Sequence, residues 1–297
     1  MMLSKVYIII PVHNRKDITL KCLETLKNLG CFDKYHIIVI DDGSTDGTKS
    51  AINHLYPQVI VLLGDGNLYW TGAIKLGMEY AYNHNADYFI WLNDDTFPQP
   101  KIIDSLIKIC QSHPQKLVSA QCYTNLDFTT PSYGAHIKVG YNFISAYTTQ
   151  NKVINADCVS GNLVCLPRSI VEDIGYPEAD KFPHFTGDFI YTWKAKQFGY
   201  IIECYSNLKA VCVPNQQEDW LLGNKSIWQN FRSVFTPKSY YHFSSYWHYC
   251  IRIYGILGIL MFVRPYYQLL RAGMLRLLFS RQFLIELKKY KSILFNQ

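Results

Sequence analysis

Four short, nearly unbroken apolar runs, Val6–Ile10, His36–Ile40, Val59–Leu63 and Tyr88–Leu92, begin 23 to 30 residues apart. Between them lie helical patterns over roughly Lys16–Leu29, Asp46–Leu55 and Gly72–Asn83; in the first, Ile18, Cys22, Leu26 and Leu29 recur at helical spacing. Apolar runs without alternation are strands buried on both faces, and parallel neighbours need a crossover of a dozen or more residues, usually a helix. The pattern therefore predicts an α/β fold with a mostly parallel central sheet flanked by helices. After Pro98-Gln99-Pro100 a further helix is expected to about Ser112. From Leu117 the pattern changes to strand-like pieces (Leu117–Cys122, Asn142–Tyr147, Cys158–Cys165), a helix over Phe189–Phe198, a strand over Tyr200–Cys204 and a loop from about Pro214. The body divides near residue 100, and the second half is expected to continue the same sheet.

Composition excludes a disordered chain, since 49% of the 297 residues are hydrophobic and only 18% charged. The nine cysteines contain no CxxC spacing, and no signal peptide precedes the first strand, so a reducing, cytoplasmic location is expected. The net charge of +6 is uneven: from Arg252 onward stand eight basic residues and one acid, Glu286, which leaves the rest near neutral. This tail, residues 244–297, is also aromatic and apolar. Its longest uncharged stretch, Ile253–Val263, is eleven residues. A bilayer span needs about 20, so a simple transmembrane helix is not expected. Arg271, Arg276 and Arg281 interrupt Leu269–Phe283, the mixture found in helices lying on a membrane surface. A helical hairpin packed on the body, or on a second copy in a homodimer, accounts for the same pattern. The expected parts are then residues 1–100, 101–243 and 244–297, the last an amphipathic helical extension.

Three of the apolar strands end in polar clusters. The strongest is Trp91-Leu92-Asn93-Asp94-Asp95. Side chains at the carboxyl end of a parallel strand enter the ligand crevice. Two adjacent carboxylates there repel unless a cation or protons relieve them; Mg²⁺ or Mn²⁺, which take carboxylate oxygens and share substrate phosphates, would do so. A turn or cap through Asp95-Thr96 is the simpler account. The second cluster is Ile40-Asp41-Asp42-Gly43-Ser44-Thr45-Asp46-Gly47. Turn chemistry explains Gly43 and Ser44, but not why the strand ends in two acids, which could accept hydrogen bonds from a base or ribose. The third is Ile10-Pro11-Val12-His13-Asn14-Arg15, where Pro11 stops sheet pairing and Asn14 or Asp17 can start a helix.

In their order and spacing these clusters resemble glycosyltransferase family 2, whose members have the Rossmann-like GT-A fold. Gly64-Asp65-Gly66-Asn67-Leu68-Tyr69-Trp70-Thr71-Gly72-Ala73 is similar to a stretch of the rhamnosyltransferase-like branch. The resemblance covers residues 5–97 best and fades beyond 215. It implies a nucleotide-sugar half (1–100) and an acceptor half (101–243). Pro11, His13 and Asn14 would line the nucleotide pocket, Asp42 would hold the base or ribose, and Asn67 and Trp70 would border ribose and sugar. Asn93-Asp94-Asp95 stands where the family has Asp-x-Asp, so Asp94 would face the ribose or sugar and Asp95 would bind Mn²⁺ or Mg²⁺ on the diphosphate; the Asn at the first position departs from the pattern. An inverting transferase also needs a general base. The segment Pro183-His184-Phe185-Thr186-Gly187-Asp188 implies Asp188, with Gly187 where relatives often carry a second acid; alternatively Asp188 only caps the following helix. Gly161, Asn162 and His184 would lie near donor sugar and acceptor. Trp220, Trp228 and Tyr240-Tyr241-His242 could stack on sugars or simply pack the tail.

The resemblance implies transfer of a hexose, with deoxythymidine-diphosphate rhamnose or a uridine-diphosphate sugar as donor. The acceptor would be a glycan or polyprenyl-linked molecule of cell-envelope polysaccharide synthesis, at the inner membrane face. A non-catalytic membrane scaffold is the alternative, and Asn93 and Gly187 give it some support. A dinucleotide oxidoreductase is disfavoured because Gly64-Asp65-Gly66 lacks the third glycine and follows the wrong strand. Nucleic acid is disfavoured as a partner because the basic tail is rich in Leu, Ile and Phe.

Overall fold

A computed structural model of the chain describes residues 4–214 and 219–287. The chain forms two compact units, residues 1–214 and 215–297.

In the first unit, β1 (Val6–Val12), α1 (Lys16–Asn28), β2 (His36–Asp41), α2 (Thr48–Leu55), β3 (Ile60–Leu63), α3 (Tyr69–Asn83) and β4 (Tyr88–Leu92) alternate as the periodicity requires. A two-residue strand β5 (Phe97–Pro98) and α4 (Ile102–Ser112) lead to β6 (Lys116–Tyr123). Short strands β7 (Ala135–Val139), β8 (Asn142–Ala146), β9 (Val153–Asn155) and β10 (Cys158–Val159) precede β11 (Leu163–Pro167), α5 (Ser169–Ile174), α6 (Gly187–Gln197) and β12 (Ile201–Val211). The main sheet runs β3-β2-β1-β4-β11-β6-β12-β5, with β9 on β12; β10-β7-β8 form a second sheet. Strands β3, β2, β1 and β4 are mutually parallel, as are β6 and β12, while β11 is antiparallel to both β4 and β6. Strands from both halves of the body thus share one sheet.

Both faces of the sheet are covered, which is why its strands do not alternate with polar residues. On one face Val6, Ile8, Ile10 and Val12 pack with Cys22, Leu23 and Leu26 of α1. On the other, Tyr7, Ile9, Ile38 and Ile40 meet Ala73, Ile74, Met78 and Ala81 of α3. Gly77 lets α3 lie close: a Cβ there would fall 2.9 Å from Ile40 Cδ1. All nine cysteines are unpaired and buried.

The second unit holds α7 (Ile227–Ser233), α8 (Phe243–Tyr254), a 3-10 turn (Gly255–Leu257) and α9 (Gly258–Leu278). Ser226 and Gln229 form a reciprocal capping box at the start of α7. Gly255, in a left-handed conformation (φ 58°), reverses the chain. Helices α8 and α9 then fold back as a hairpin, with the rings of Phe243 and Tyr246 packed against Phe262 and Tyr266. Tyr241 packs on Trp220 here, while Trp228 is exposed. The compositional boundary at 243/244 and the contact boundary at 214/215 differ because α7 packs against α9, with Ile227 and Phe231 over Gly273. By length and composition the stretch Phe243–Leu278 contains an 18-residue window apolar enough to cross a membrane (mean hydropathy 1.3). The expectation from the eleven-residue stretch took too short a window. The turn at Gly255 nevertheless breaks that length into two helices.

Candidate active site

The carboxyl ends of β1, β2 and β4 share one edge of the sheet, because Val12 pairs with Asp41 and Ile9 with Trp91 in parallel register. The polar clusters that end these strands are therefore neighbours.

Residues 42–46 and 64–69 are organised by side chains of the site itself. Asp42, 4% exposed, accepts hydrogen bonds at Oδ1 from Gly66 N (2.8 Å) and Leu68 N (3.2 Å), and at Oδ2 from Tyr69 N (2.9 Å). These N–H groups lie at or beside the amino end of α3, where the first donors lack helical partners and the dipole favours an anion. Asp42, expected to hold a base or ribose, is thus seen holding the Gly66–Tyr69 loop against the strand end. His13 donates from Nδ1 to the Asp42 carbonyl (2.5 Å), and its Nε2 lies 3.2 Å from the Asn14 amide nitrogen. Asn14, at φ 51°, accepts from Thr45 N (2.7 Å) and donates its own N–H to Ser44 Oγ (2.8 Å). Asp46, rather than Asn14 or Asp17, serves the start of α1 by accepting from Lys16 N (2.9 Å), and it accepts from Thr48 N of α2 (3.1 Å). Pro11 pairs opposite Ile40, and Asn67 is exposed at the tip of its loop.

The repulsion expected between Asp94 and Asp95 is met by a cation within the chain. The Arg15 guanidinium bridges both, Nη1 to Asp94 Oδ1 at 3.0 Å and Nη2 to Asp95 Oδ2 at 2.9 Å. Asp94 is buried (2% exposed) and also accepts from Thr19 Oγ1 (3.3 Å). Burial pushes its pKa up to about 7; Arg15 opposes the rise and Asp95 adds to it. Asp95 accepts from the Cys212 thiol at Oδ1 (3.6 Å). Burial and Asp95 push that thiol up to about 12, so it stays protonated. Asp95-Thr96 does not cap α4, whose N-cap is Lys101.

Asn93 joins this acidic pair to the second half. Its side-chain oxygen accepts from the Trp70 indole N–H (2.7 Å), and its backbone N–H donates to Asn162 O (3.0 Å). The buried Asn162 amide donates to Cys212 Sγ (3.3 Å). Gly161, beside Asn162, donates its N–H to Asp188 Oδ2 (2.7 Å), while Oδ1 accepts from Phe189 N (2.8 Å). A Cβ on Gly161 would lie 2.6 Å from Trp70 Cη2, closer still to Cζ2, and 3.0 Å from Asp188 Cβ. Trp70, Asn93, Gly161, Asn162 and Asp188 thus form one contiguous group. The N-cap of α6 is Thr186, so Asp188 lies inside the first turn and its carboxylate reaches across to the Gly161 turn. Burial raises its pKa, against the two N–H groups that hold it down. Gly187 has a steric reason: a Cβ there would be 2.9 Å from Thr71 Cγ2 and nearer still to its Oγ1, so a larger residue would push α6 off α3. His184 stands edge-on to Tyr69 at 6.2 Å, on the α3 side of the group.

Sequence reasoning singled out the strand-end clusters, Trp70, Gly161-Asn162 and Asp188, but missed Arg15 as the counter-ion, and Thr19 and Cys212 as partners of the acids. The motif Pro-Val-His-Asn-Arg held the first signal: an arginine just beyond a strand whose neighbour ends in two acids.

Whether a divalent cation fits can be judged from the donors. Among the described residues no group of three or more His, Cys, Asp and Glu converges as a metal cage. Mg²⁺ and Mn²⁺ seldom need one: one or two carboxylates with substrate phosphates and water suffice. Asp95, partly exposed at 18% and paired with a 43%-exposed arginine side chain, offers one such carboxylate.

Residues 7–175 match the family described as glycosyl transferase family 2. Glycosyltransferase AglE of Haloferax volcanii is 24% identical over 202 residues, covering 66% of this chain and 62% of that protein. A crystal structure of GalNAc-T7 with UDP, GalNAc and Mn²⁺ superposes with a TM-score of 0.56 at 12% identity, over 78% of this chain and 48% of the other. The chain thus spans less than two thirds of either protein, and the second likeness is one of fold, the GT-A fold. With the matched stretch covering more than half of its length and all three strand-end clusters, the chain belongs to glycosyl transferase family 2.

Proposed function

We propose that this protein transfers a sugar, with inversion, from a nucleoside-diphosphate sugar to a hydroxyl of a glycan or polyprenyl-linked acceptor. The reading rests on one observation: the Trp70–Asn93–Asn162 hydrogen bonds and the Gly161–Asp188 contact join a strand-end acidic pair to a single buried-side carboxylate. Asp188 is the proposed general base. It removes the acceptor hydroxyl proton as that oxygen attacks the anomeric carbon, and the nucleoside diphosphate departs from the opposite face. A raised carboxylate pKa suits this task, since a base works best when its pKa lies nearer the working pH. Trp70 and Gly161 form the wall that positions the sugar beside it. His13, Asn14 and Asn67 border the nucleotide, in loops fixed by Asp42. Asp95 would hold a Mn²⁺ or Mg²⁺ ion, which supplies charge compensation for the departing diphosphate. The stretch Gly64–Ala73 favours a deoxythymidine-diphosphate sugar such as rhamnose, with a uridine-diphosphate sugar second. Inner-face, cell-envelope polysaccharide synthesis is the setting we propose. The scaffold alternative loses its support from Gly187, which close helix packing explains.

Asp188→Asn is the test. It keeps the size of the side chain and one of the two oxygens that accept from Gly161 and Phe189, but cannot take a proton. We expect transfer to fall at least about a thousandfold with nucleotide binding unchanged. Equal loss of both would remove Asp188 from the role of base.

A further inference from the structure

The second unit carries an exposed apolar seam. On α9 the residues Leu260, Val263, Tyr267, Leu270, Met274 and Leu277 follow a 3-4-3-4-3 spacing, so they share one face of the helix. Each is more than half exposed, Leu277 at 77%. A different face packs inward, through Phe262, Pro265, Leu269, Ala272 and Gly273. The helix is therefore apolar on two faces, only one of which the fold uses. Contiguous exposed apolar surface of this kind marks a contact with something else.

Charge decides the occupant. Between Asp219 and Glu286 stand eight basic residues and no acid. Arg264 and Arg271, both exposed, lie one position beyond Val263 and Leu270, and so line one edge of the seam. If two copies paired along this seam, those arginines would meet each other or uncharged residues, with no carboxylate to pair with in either orientation. An anionic bilayer surface offers what a second copy lacks: hydrocarbon for the seam and phosphate for its edge. Full insertion across the bilayer is disfavoured, although 21 residues at about 1.5 Å each would reach. It would carry Arg264 and Arg271 into the hydrocarbon, which is costly.

We infer that α9 lies in the plane of an anionic membrane surface, with Leu260, Val263, Tyr267, Leu270, Met274 and Leu277 facing the acyl chains and Arg264 and Arg271 among the headgroup phosphates. The inference stands apart from the transferase reading, because it rests on the second unit alone.

The full chain is tested by flotation with vesicles of phosphatidylcholine, with and without phosphatidylglycerol. Binding is expected to require the anionic lipid and to weaken with salt. Leu260→Glu with Leu270→Glu should lower it at least about tenfold. Arg264→Gln with Arg271→Gln should lower it roughly 25-fold on anionic vesicles, at about fivefold per arginine, and leave thermal melting unchanged. Because every native cysteine is buried, spin labels at Leu260→Cys, Met274→Cys and Arg271→Cys report depth. The first two should be exposed to oxygen and the third to an aqueous relaxant. Unchanged binding by the folded double-Glu variant overturns the inference. So does a stable dimer that the same variant dissociates, or bound protein that resists alkaline carbonate with all three labels deep in hydrocarbon.

Discussion

Gly161→Ala isolates the contact that joins the two halves of the site. Gly161 is not among the positive-φ residues, so an alanine meets no backbone penalty. The effect is steric. The new methyl would stand 2.6 Å from Trp70 Cη2, against about 3.5–4.0 Å for a comfortable carbon contact. The indole must retreat by roughly 1 Å. It is held by its hydrogen bond to Asn93 (2.7 Å) and by edge-on packing against Trp91 (5.5 Å). Overpacking costs about 1–3 kcal/mol and a lost hydrogen bond about 0.5–1.5 kcal/mol. A loss of about 2–4 kcal/mol corresponds to a fall in melting temperature of roughly 5–12 °C for a domain of this size. A 1 Å displacement in a site costs about a hundredfold in rate. Differential scanning calorimetry and a donor-turnover assay read the two effects. Trp70→Phe removes the two ring carbons that clash, so the double variant should be more stable than the sum of the singles by about 1–2 kcal/mol. Strict additivity, or Gly161→Ala melting and turning over like wild type, would show that Trp70 does not seal the Gly161–Asp188 contact.

Three further outcomes are expected. Gly187→Ala should destabilise by about 1–3 kcal/mol, and Thr71→Gly should relieve part of that loss if the α3–α6 contact is the cause; calorimetry of the four variants decides. Arg15→Gln should bind Mn²⁺ more tightly than wild type by titration calorimetry, because the guanidinium that competes for Asp95 is gone; weaker binding would make Arg15 a helper rather than a competitor. Asp94 is raised by burial from an unfolded value of about 4 to about 7. Its stabilising contribution is therefore full below about pH 4 and lost as pH rises through about 7, by at most about 4 kcal/mol. Asp94→Asn should then gain in melting temperature relative to wild type between pH 5 and pH 8, and a constant difference would remove the shift.

The fold was legible because its parallel strands are buried on both faces and so appear as apolar runs, and three of them end in polar clusters that the register brings together. What was not legible depends on pairings far apart in sequence. Arg15 and Asp94 are joined only because α1 follows a strand paired with β4. The same holds for Cys212 against Asp95. Asp42 reads equally as a ligand group and as a helix-end acceptor, and only the return of residues 66–69 across the strand end reveals the second use. Ser160-Gly161-Asn162-Leu163 reads as a turn within the strand-like piece Cys158–Cys165, and the structure has that turn between β10 and β11; what the sequence does not show is that the Gly161 N–H meets Asp188. Strands β5 and β9 are too short to give a periodic signal, whereas β7, which alternates as Ala135-His136-Ile137-Lys138-Val139, carries one that sequence reasoning missed. Gly187 looked like a lost acid until the position of Thr71 gave it a packing role.

The central claim is that the β1, β2 and β4 strand ends bind a nucleoside diphosphate through Asp95 and a divalent cation. Thermal stabilisation by a panel of nucleoside diphosphates, with and without Mn²⁺, tests it on wild type and Asp95→Ala, since a ligand of the native state raises stability by mass action. The account predicts a Mn²⁺-dependent shift with one nucleotide, lost in Asp95→Ala. No shift with any nucleotide in folded wild-type protein, or an undiminished shift in Asp95→Ala, would contradict it.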